Sequence, residues 1–394
     1  MDTTPTPPQV EIAHEAVLIA GLAGMVAAEI GDITASTPLK RIGVLLADGT
    51  ESLLGRCIYR NRHTSLVGAG ILHTDLPRLP GTSIFAGVVG PQFGHMVTQS
   101  LGRLWMAELD PEARLVFLSA NLGFVALPGY FVDLLRSLRI RNPVELINAP
   151  VICDRLLLGP DQCNLQLRPC MTPFFHDWCA GRRPTVPSGE PLDLYVSRSG
   201  LSLDHGQYLQ ETLLEAALEA NGFTIFRPEK VPIPVQIDTY LRARRLIFAD
   251  GSAAHLWSRF ARPQAQSAIL LRRPLGRHFA AWFRSTDCPQ PEYLDFGMAD
   301  IFRRGEGGGR SVGLLDMQGL WRALRLKGFH ADQQDIGPPR GAVAAWLSGL
   351  IAHKGRLPVP PFPLDPRSDA LMALRTRINV RDHSPQVPQG HAVL

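Results

Sequence analysis

The stretch that decides the fold runs from Leu192 to Arg273. It opens on Leu192-Asp193-Leu194-Tyr195-Val196, an apolar run that stops at the polar turn Ser197-Arg198-Ser199-Gly200. That pattern is a strand ending in a loop of hydroxyl and cationic groups. A helix is predicted from Gln207 to Ala220, with Leu209, Leu213 and Ala217 four apart on one face and Asn221-Gly222 as a left-handed stop. Phe223 to Phe226 reads as a buried strand closed by Pro228, Val235 to Arg244 as a second helix, and Leu246 to Ala249 as another apolar strand. Asp250-Gly251-Ser252-Ala253-Ala254-His255 comes next and starts a third helix, before Ala268 to Leu271 supplies a fourth strand. Continuous apolar strands alternating with helices imply a parallel sheet covered on both faces. The order β-α-β-α-β-α-β is that of a nucleotide-binding half-domain.

Working outward, a second alternating unit lies upstream. Ser83 to Val89 is a buried strand that runs into Gly90-Pro91-Gln92-Phe93-Gly94, and a helix begins near His95. Arg114 to Leu118 is the next strand, Gly129 to Leu138 a helix and Val144 to Ile147 a third strand; further upstream, Ile42 to Leu46 is a clear strand. The turn formers Arg182 to Gly189 read as a linker. The expected division is a loose tail over 1–10, a first unit over 11–181, a linker over 182–190, a second unit over 191–286 and an extension over 287–394, which includes the proline-rich Pro358 to Pro366 and a helix-like Asp369 to Arg377. Ligands of open α/β sheets bind beyond the carboxyl ends of the strands. The loops Gly90 to His95 and Asp250 to His255 both sit at such ends, and a cleft between the units would bring them together.

Composition narrows the function classes. With 45% hydrophobic and 19% charged residues the chain is neither disordered nor fibrous, and its 394 residues suffice for two cores. Net charge is +4, carried almost wholly by arginine, since Lys40, Lys230, Lys327 and Lys354 are the only lysines. No basic run or aromatic platform argues for nucleic acid. The apolar run Ala16 to Ala28 is broken by Gly21 and Gly24 and is too short to span a bilayer, so the expected place is the cytoplasm, with a peripheral position at the inner face of the membrane left open. Cys57, Cys153, Cys163, Cys170, Cys179 and Cys288 form no Cys-x-x-Cys pair and no zinc spacing, which reads as inert thiols and no bound metal.

Certain side chains in the marked loops suit chemistry on a phosphorylated sugar. His95, Gln99 and Arg103 recur every four residues and would line one helix face. An imidazole in the first turn is placed either as a base or as a structural cap, and its ordinary pKa lies near neutrality. Gly251 and Ser252 precede a helix whose first amides point forward, where phosphate binds, with His255 one turn in; an ordinary serine cap is the plainer reading. Arg198 can grip phosphate in a bidentate manner with Ser197 adding a hydroxyl, or can make a structural ion pair. Glu211 could take ribose hydroxyls or sit on a solvated helix face, and Gln236 could touch a base or pack between helices.

The residues Tyr195-Val196-Ser197-Arg198-Ser199, Glu211, Gly222-Phe223, Pro228-Glu229, Gln236 and Gly251 to His255 stand in the order and spacing of the glycosyltransferase 61 family, which the chain resembles. Phe93-Gly94-His95-Met96-Val97-Thr98-Gln99-Ser100-Leu101-Gly102-Arg103-Leu104-Trp105 looks like that family's second signature, and the resemblance covers Ser83 to Arg273. It implies an α/β fold of GT-B type with two facing Rossmann-like domains, and a glycosyltransferase that moves a sugar from a nucleotide-sugar donor to a glycan, polysaccharide or lipid-linked acceptor with inversion. His95 would be the base; Arg198, Ser197, Gly251, Ser252 and His255 would hold the donor phosphate, Glu211 and Gln236 the nucleotide, and Gln99 and Arg103 would line the acceptor cleft. By analogy with two-domain glycosyltransferases, the extension would cross back onto the first domain. The family's pattern has an acidic residue where this chain has Gln99, and glutamine cannot act as a base. That departure keeps a second expectation alive, a non-catalytic protein that binds nucleotide sugars or glycans on the same fold. No Asp-x-Asp pair occurs, and with arginine and helix ends available for phosphate the expectation is transfer with no metal or other cofactor.

Overall fold

The computed structural model describes residues 7–20, 42–59, 62–63, 75–120, 123–163, 170–202, 205–209, 211–260, 265–272, 280, 282–284, 289–301, 310–334 and 336–337. The segments Pro358 to Pro366 and Asp369 to Arg377, and Gly21 to Ala28 of the first apolar run, lie outside the described residues.

A six-stranded sheet comes first in the chain. It is built from β1 (Glu11–Ile19), β2 (Gly43–Leu45), then, past the small hairpin β3 (Ile58–Tyr59) and β4 (Arg62–His63), β5 (Arg78–Val89), β6 (Arg114–Ser119), β7 (Val144–Ile147) and β8 (Val151–Leu158). The spatial order is β2-β1-β8-β5-β6-β7. Strands β8, β5, β6 and β7 are parallel, as the alternating pattern predicts, whereas β1 runs antiparallel to both β8 and β2. The sheet is therefore mixed, a correction to the all-parallel expectation. The polar half of β1, Glu11 to Glu15, is largely exposed and carries no apolar alternation, which is why the sequence concealed it.

Helix α1 (Phe93–Gln99) follows β5, α2 (Gly129–Ser137) follows β6 and α3 (Pro173–Ala180) follows β8. Neither β8 nor α3 was predicted. The helix expected from His95 through Trp105 stops at Gln99 and resumes as a 3-10 turn over Leu104–Glu108. Two contacts end it. The Ser100 hydroxyl donates to the Val88 carbonyl at 2.7 Å, and Gly102 is pressed so closely on the 161–163 loop that a Cβ there would lie 2.6 Å from the Cys163 nitrogen.

The second sheet is the one the opening stretch predicts. Strand β9 (Leu192–Val196), the short β10 (Gln207–Tyr208), α4 (Glu211–Ala220), β11 (Thr224–Phe226), α5 (Ile233–Leu241), β12 (Ala243–Ala249), α6 (Ala253–Phe260) and β13 (Gln266–Leu270) follow in turn, and β14 (Glu292–Leu294) adds an edge. Its order is β11-β9-β12-β13-β14, every pair parallel. Three details differ from expectation. Gln207 and Tyr208 pair with β16 (Val312–Leu315), which with β15 (Gly297–Ile301) forms a three-stranded side sheet, so the helix begins only at Glu211. The buried face of α4 is Glu211, Leu214, Glu215 and Leu218, not the Leu209-Leu213-Ala217 stripe. Strand β11 is an edge, with Thr224 exposed and Phe226 half-buried, where a fully buried strand was expected.

Alternate residues of each main sheet reach different cores. Ile84, Leu115 and Phe117 of the first sheet, with Leu194, Val196, Leu246 and Phe248 of the second, enter one shared cluster with Met96, Phe131, Phe175, Ile237 and Trp257 of the intervening helices. Phe85, Val116 and Leu118 face a second cluster behind the first sheet. Tyr195, Ile247 and Leu270 face a third, closed by α4 and by α7 (Met317–Leu326). Helices α1, α2, α3, α5 and α6 thus form a layer between the sheets, joined by one core. Each fully buried large side chain there contributes about 1.5–3 kcal/mol.

Candidate functional site

Each main sheet has a place where strand order reverses, and there the carboxyl ends open outward. In the second sheet this lies between β9 and β12, since β9 connects to β11 on one side and the chain returns through α5 to β12 on the other. Ser197 and Arg198 leave the end of β9; Asp250, Gly251 and Ser252 leave the end of β12. In the first sheet it lies between β5 and β8, and the loop that starts α1 leaves β5.

The two places meet. A Cβ on Gly94 would lie 2.6 Å from the Ser252 Oγ, so the start of α1 and the start of α6 are in contact through a residue that must lack a side chain. A Cβ on Gly251 would collide with the Arg198 guanidinium, so that group lies across the β12 loop. Arg198, Gly251, Ser252, Gly94 and His95 therefore follow one another across the seam between the sheets. Ser252 stands at the cap of α6, its carbonyl accepting from the His255 amide at 3.1 Å. His255 packs edge-on against Trp282, ring centres 5.7 Å apart. Arg198 donates from Nε to the Gly206 carbonyl at 2.8 Å and from Nη2 to the His205 carbonyl.

His95 is half-buried, and its Nδ1 lies 2.8 Å from the Gln99 Oε1. With the amide oxygen facing it, Nδ1 carries the proton and Nε2 is the basic nitrogen. Arg103 is not on that face, because α1 has ended. Its Nε donates to the Gly159 carbonyl at 3.0 Å and its Nη2 to the Arg56 carbonyl at 2.8 Å, while Nη1 pairs with Asp161 at 3.2 Å. The side chain is 4% exposed, and its guanidinium lies over the Phe85 ring of β5.

Three expected nucleotide or phosphate groups are turned inward. Ser197 is 1% exposed, its Oγ 2.5 Å from the Glu215 Oε1 and 3.1 Å from the Glu211 Oε1. Glu211 is buried, not on a solvated face, and its Oε1 accepts from the Tyr195 hydroxyl at 3.1 Å and the Arg198 amide at 2.7 Å. Burial pushes its carboxyl above the ordinary value. Gln236 donates to the carbonyls of Pro228 and Val231, at 2.8 and 3.1 Å, and so fixes the turn after β11.

Several contributors were missed in the sequence. Glu215, four residues after Glu211 on the same helix face, pairs with Arg227 at 2.7 Å, and Arg227 also donates to the Ser199 Oγ at 3.2 Å. That i, i+4 spacing was a usable signal. Arg259 gave none: from α6 it donates to the Val97 carbonyl at 2.5 Å, between the aromatic faces of Phe175 and Trp282 and beside the thiols of Cys163 and Cys179. It thus ties the helix that carries His255 to the helix that carries His95. Among the described residues no disulfide joins Cys57, Cys153, Cys163, Cys170 or Cys179, and burial holds the Cys57 thiol at about 11 and those of Cys153 and Cys163 at about 12, too high for reactive thiolates. Among the described residues no group of three histidine, cysteine, aspartate or glutamate side chains is placed to hold a metal, and no helix is long and apolar enough to cross a membrane.

A strand-helix architecture of this kind, with facing loops at two switch points, is a familiar frame for enzymes that handle nucleotides. Comparison with known proteins specifies the class as a glycosyltransferase. Residues 93–266 match the family model described as Glycosyltransferase 61, and this stretch of the chain is similar to that family. The match begins at the first residue of α1 and ends at the first residue of β13, so it contains His95, Arg198, Ser252 and His255. No curated protein matches the chain. Among solved structures, the chain is similar to the bacterial iron-containing dodecameric glycosyltransferase TibC from enterotoxigenic E. coli H10407, at 11% identity and a TM-score of 0.29, over 68% of this chain and 79% of that one.

Proposed function

We propose that this protein transfers a sugar from a nucleotide-sugar donor to a glycan, polysaccharide or lipid-linked acceptor, as an inverting, metal-independent glycosyltransferase of GT-B type. It would work in the cytoplasm or at the inner membrane surface. The observation that supports this reading is the close approach of Gly94, the residue before His95, to Ser252 within the family-matched region.

In this reading His95 Nε2 takes the proton of the acceptor hydroxyl while that oxygen attacks the anomeric carbon. The bond to the nucleotide diphosphate breaks on the opposite face, which inverts the centre. Negative charge then grows on the departing phosphate. Arg198, the Gly251 and Ser252 backbone, the amino end of α6 and His255 would meet that charge, with no metal ion called for. Gln99 orients the imidazole but cannot take its proton, so the base works without the added basicity that a carboxylate partner supplies. Gln99 also favours a second reading, a protein that binds nucleotide sugars or glycans on this fold without turning them over.

A thermal-shift panel of nucleotide diphosphates and nucleotide sugars, with and without EDTA, separates these. Stabilisation by one nucleotide class that survives EDTA and disappears in Arg198→Ala is expected, followed by sugar transfer with that donor. Binding without transfer or hydrolysis would support the second reading, and no shift with any nucleotide would count against the transferase and leave the glycan-binding form of the second reading.

A further inference from the structure

The turn that carries Arg198 rests on two buried carboxyl groups, and their hydrogen atoms do not add up if both are ionised. Ser197 Oγ has one hydrogen to give. It lies 2.5 Å from Glu215 Oε1 and 3.1 Å from Glu211 Oε1, and the Ser199 hydroxyl, 2.6 Å from Glu215 Oε1, has its own hydrogen committed there. If Ser197 donates to Glu215, two oxygen atoms face each other at the Glu211 contact with no proton between them; if it donates to Glu211, the closer Glu215 contact is left bare. The Tyr195 hydroxyl and the Arg198 amide supply Glu211 and leave this deficit unchanged. One further proton belongs in the cluster.

Its place follows from the charges around the pair. Glu215 has a cation, Arg227, at 2.7 Å; Glu211 has none among its contacts. Glu211 is 2% exposed, and its Oε2 has no hydrogen-bond partner among the described residues, so an ionised Glu211 would bury charge on an oxygen that none of them supports. The titratable and charged groups that face it are Tyr195 from β9, Glu215 from α4, Tyr208 from β10 and, through Glu215, Arg227 after β11. Both tyrosines are held neutral by burial, and Glu215 disfavours a second negative charge.

We infer that Glu211 stands protonated at neutral pH, donates to Ser197, and is the positioning residue that sets the Ser197-Arg198 turn for the donor phosphate. The role in donor binding rests on the proposed function; the protonation does not. As pH rises through the acid's pKa the proton leaves to water, a second negative charge appears beside Glu215, and the turn loses its geometry. The sign follows from linkage: a carboxyl raised in the folded state contributes stability at low pH that is lost as pH rises through its folded value.

Two measurements on the full chain test this. Infrared difference spectra between the native protein and Glu211→Gln at neutral pH should show a protonated-acid carbonyl band in the native protein that the variant lacks. A difference confined to carboxylate bands would overturn the inference. Should that variant fail to fold, the same band followed in the native protein with rising pH gives the answer, and its absence at neutral pH overturns the inference. For the positioning role, uridine and guanosine diphosphates serve as probes. Binding to the native protein should weaken about tenfold per pH unit above the acid's pKa, while Glu211→Gln, a neutral mimic, binds as the native protein does near neutrality and stays level. Weak binding by a folded Glu211→Gln at neutral pH would overturn the role; no nucleotide binding by either protein defeats the donor-site reading and the role with it, while the spectra still decide the protonation.

Discussion

The two ends of the parallel strands treat buried charge in opposite ways. At the amino end of the second sheet, Asp193 accepts from both Arg244 and Arg245, at 2.6 and 2.5 Å. Burial acts to push that carboxyl up, but the two arginines outweigh it and hold it at about 2. At the carboxyl end, Glu211 has hydroxyl and amide partners and no cation, and burial pushes it up. Charges at one end cancel within the protein and serve the fold. At the other end Glu215 is paired with Arg227 and Glu211 is held by hydroxyl and amide groups, while the arginine of the turn, Arg198, lies across Gly251. The lesson is that a carboxylate clasped by two arginines serves the scaffold, whereas a carboxyl held by hydroxyl and amide groups at the strand ends supports the turn proposed to meet a ligand.

Substitutions at the two ends should therefore fail differently. The largest effect is expected for His95→Ala, about 10²- to 10⁴-fold in kcat, with donor binding unchanged in a titration of the nucleotide. An equal loss of binding would mean that His95 belongs to the donor side. Next comes Gly94→Val, whose side chain must displace Ser252 and part the two helices; transfer should fall about 100-fold while the melting temperature moves little. Glu215→Ala leaves Arg227 and two hydroxyls without their acceptor and should cost about 3 kcal/mol in urea unfolding, with weaker nucleotide binding. The smallest effect belongs to the amino end. Asp193→Asn, whose partner Arg244 is largely in solvent, should cost about 1 kcal/mol and leave binding and transfer intact. Because its carboxyl is depressed, its contribution is complete above the ordinary aspartate value and is lost as pH falls toward about 2. Unfolding at pH 5 and pH 2.5 should show that loss in the native protein and not in the variant.

Much of the second sheet was legible because its strands are apolar on both faces. Leu246 to Ala249 and Ala268 to Leu271 could be read from pattern alone, and the loops at their ends followed from topology. What could not be read depends on distant partners. The Leu209-Leu213-Ala217 stripe obeys helical spacing, yet the face turned inward carries Glu211 and Glu215, because β9 ends in hydroxyls that need acceptors. Arg103 fits the period of a helix that Ser100 and Gly102 end early. The meeting of Gly94 with Ser252 spans about 160 residues and left no local trace beyond the glycine itself.

The core shared by the two sheets also orders events while the chain is being made. When Leu158 has left the ribosome the first sheet has all its strands, but Trp105, Phe117 and Phe131 belong to a cluster that Trp257 and Phe260 complete. Those residues arrive about a hundred positions later, on the order of ten seconds at usual rates of translation. For that interval a broad aromatic face stands in water, and keeping it from neighbouring nascent chains is the demand this architecture makes of the cell.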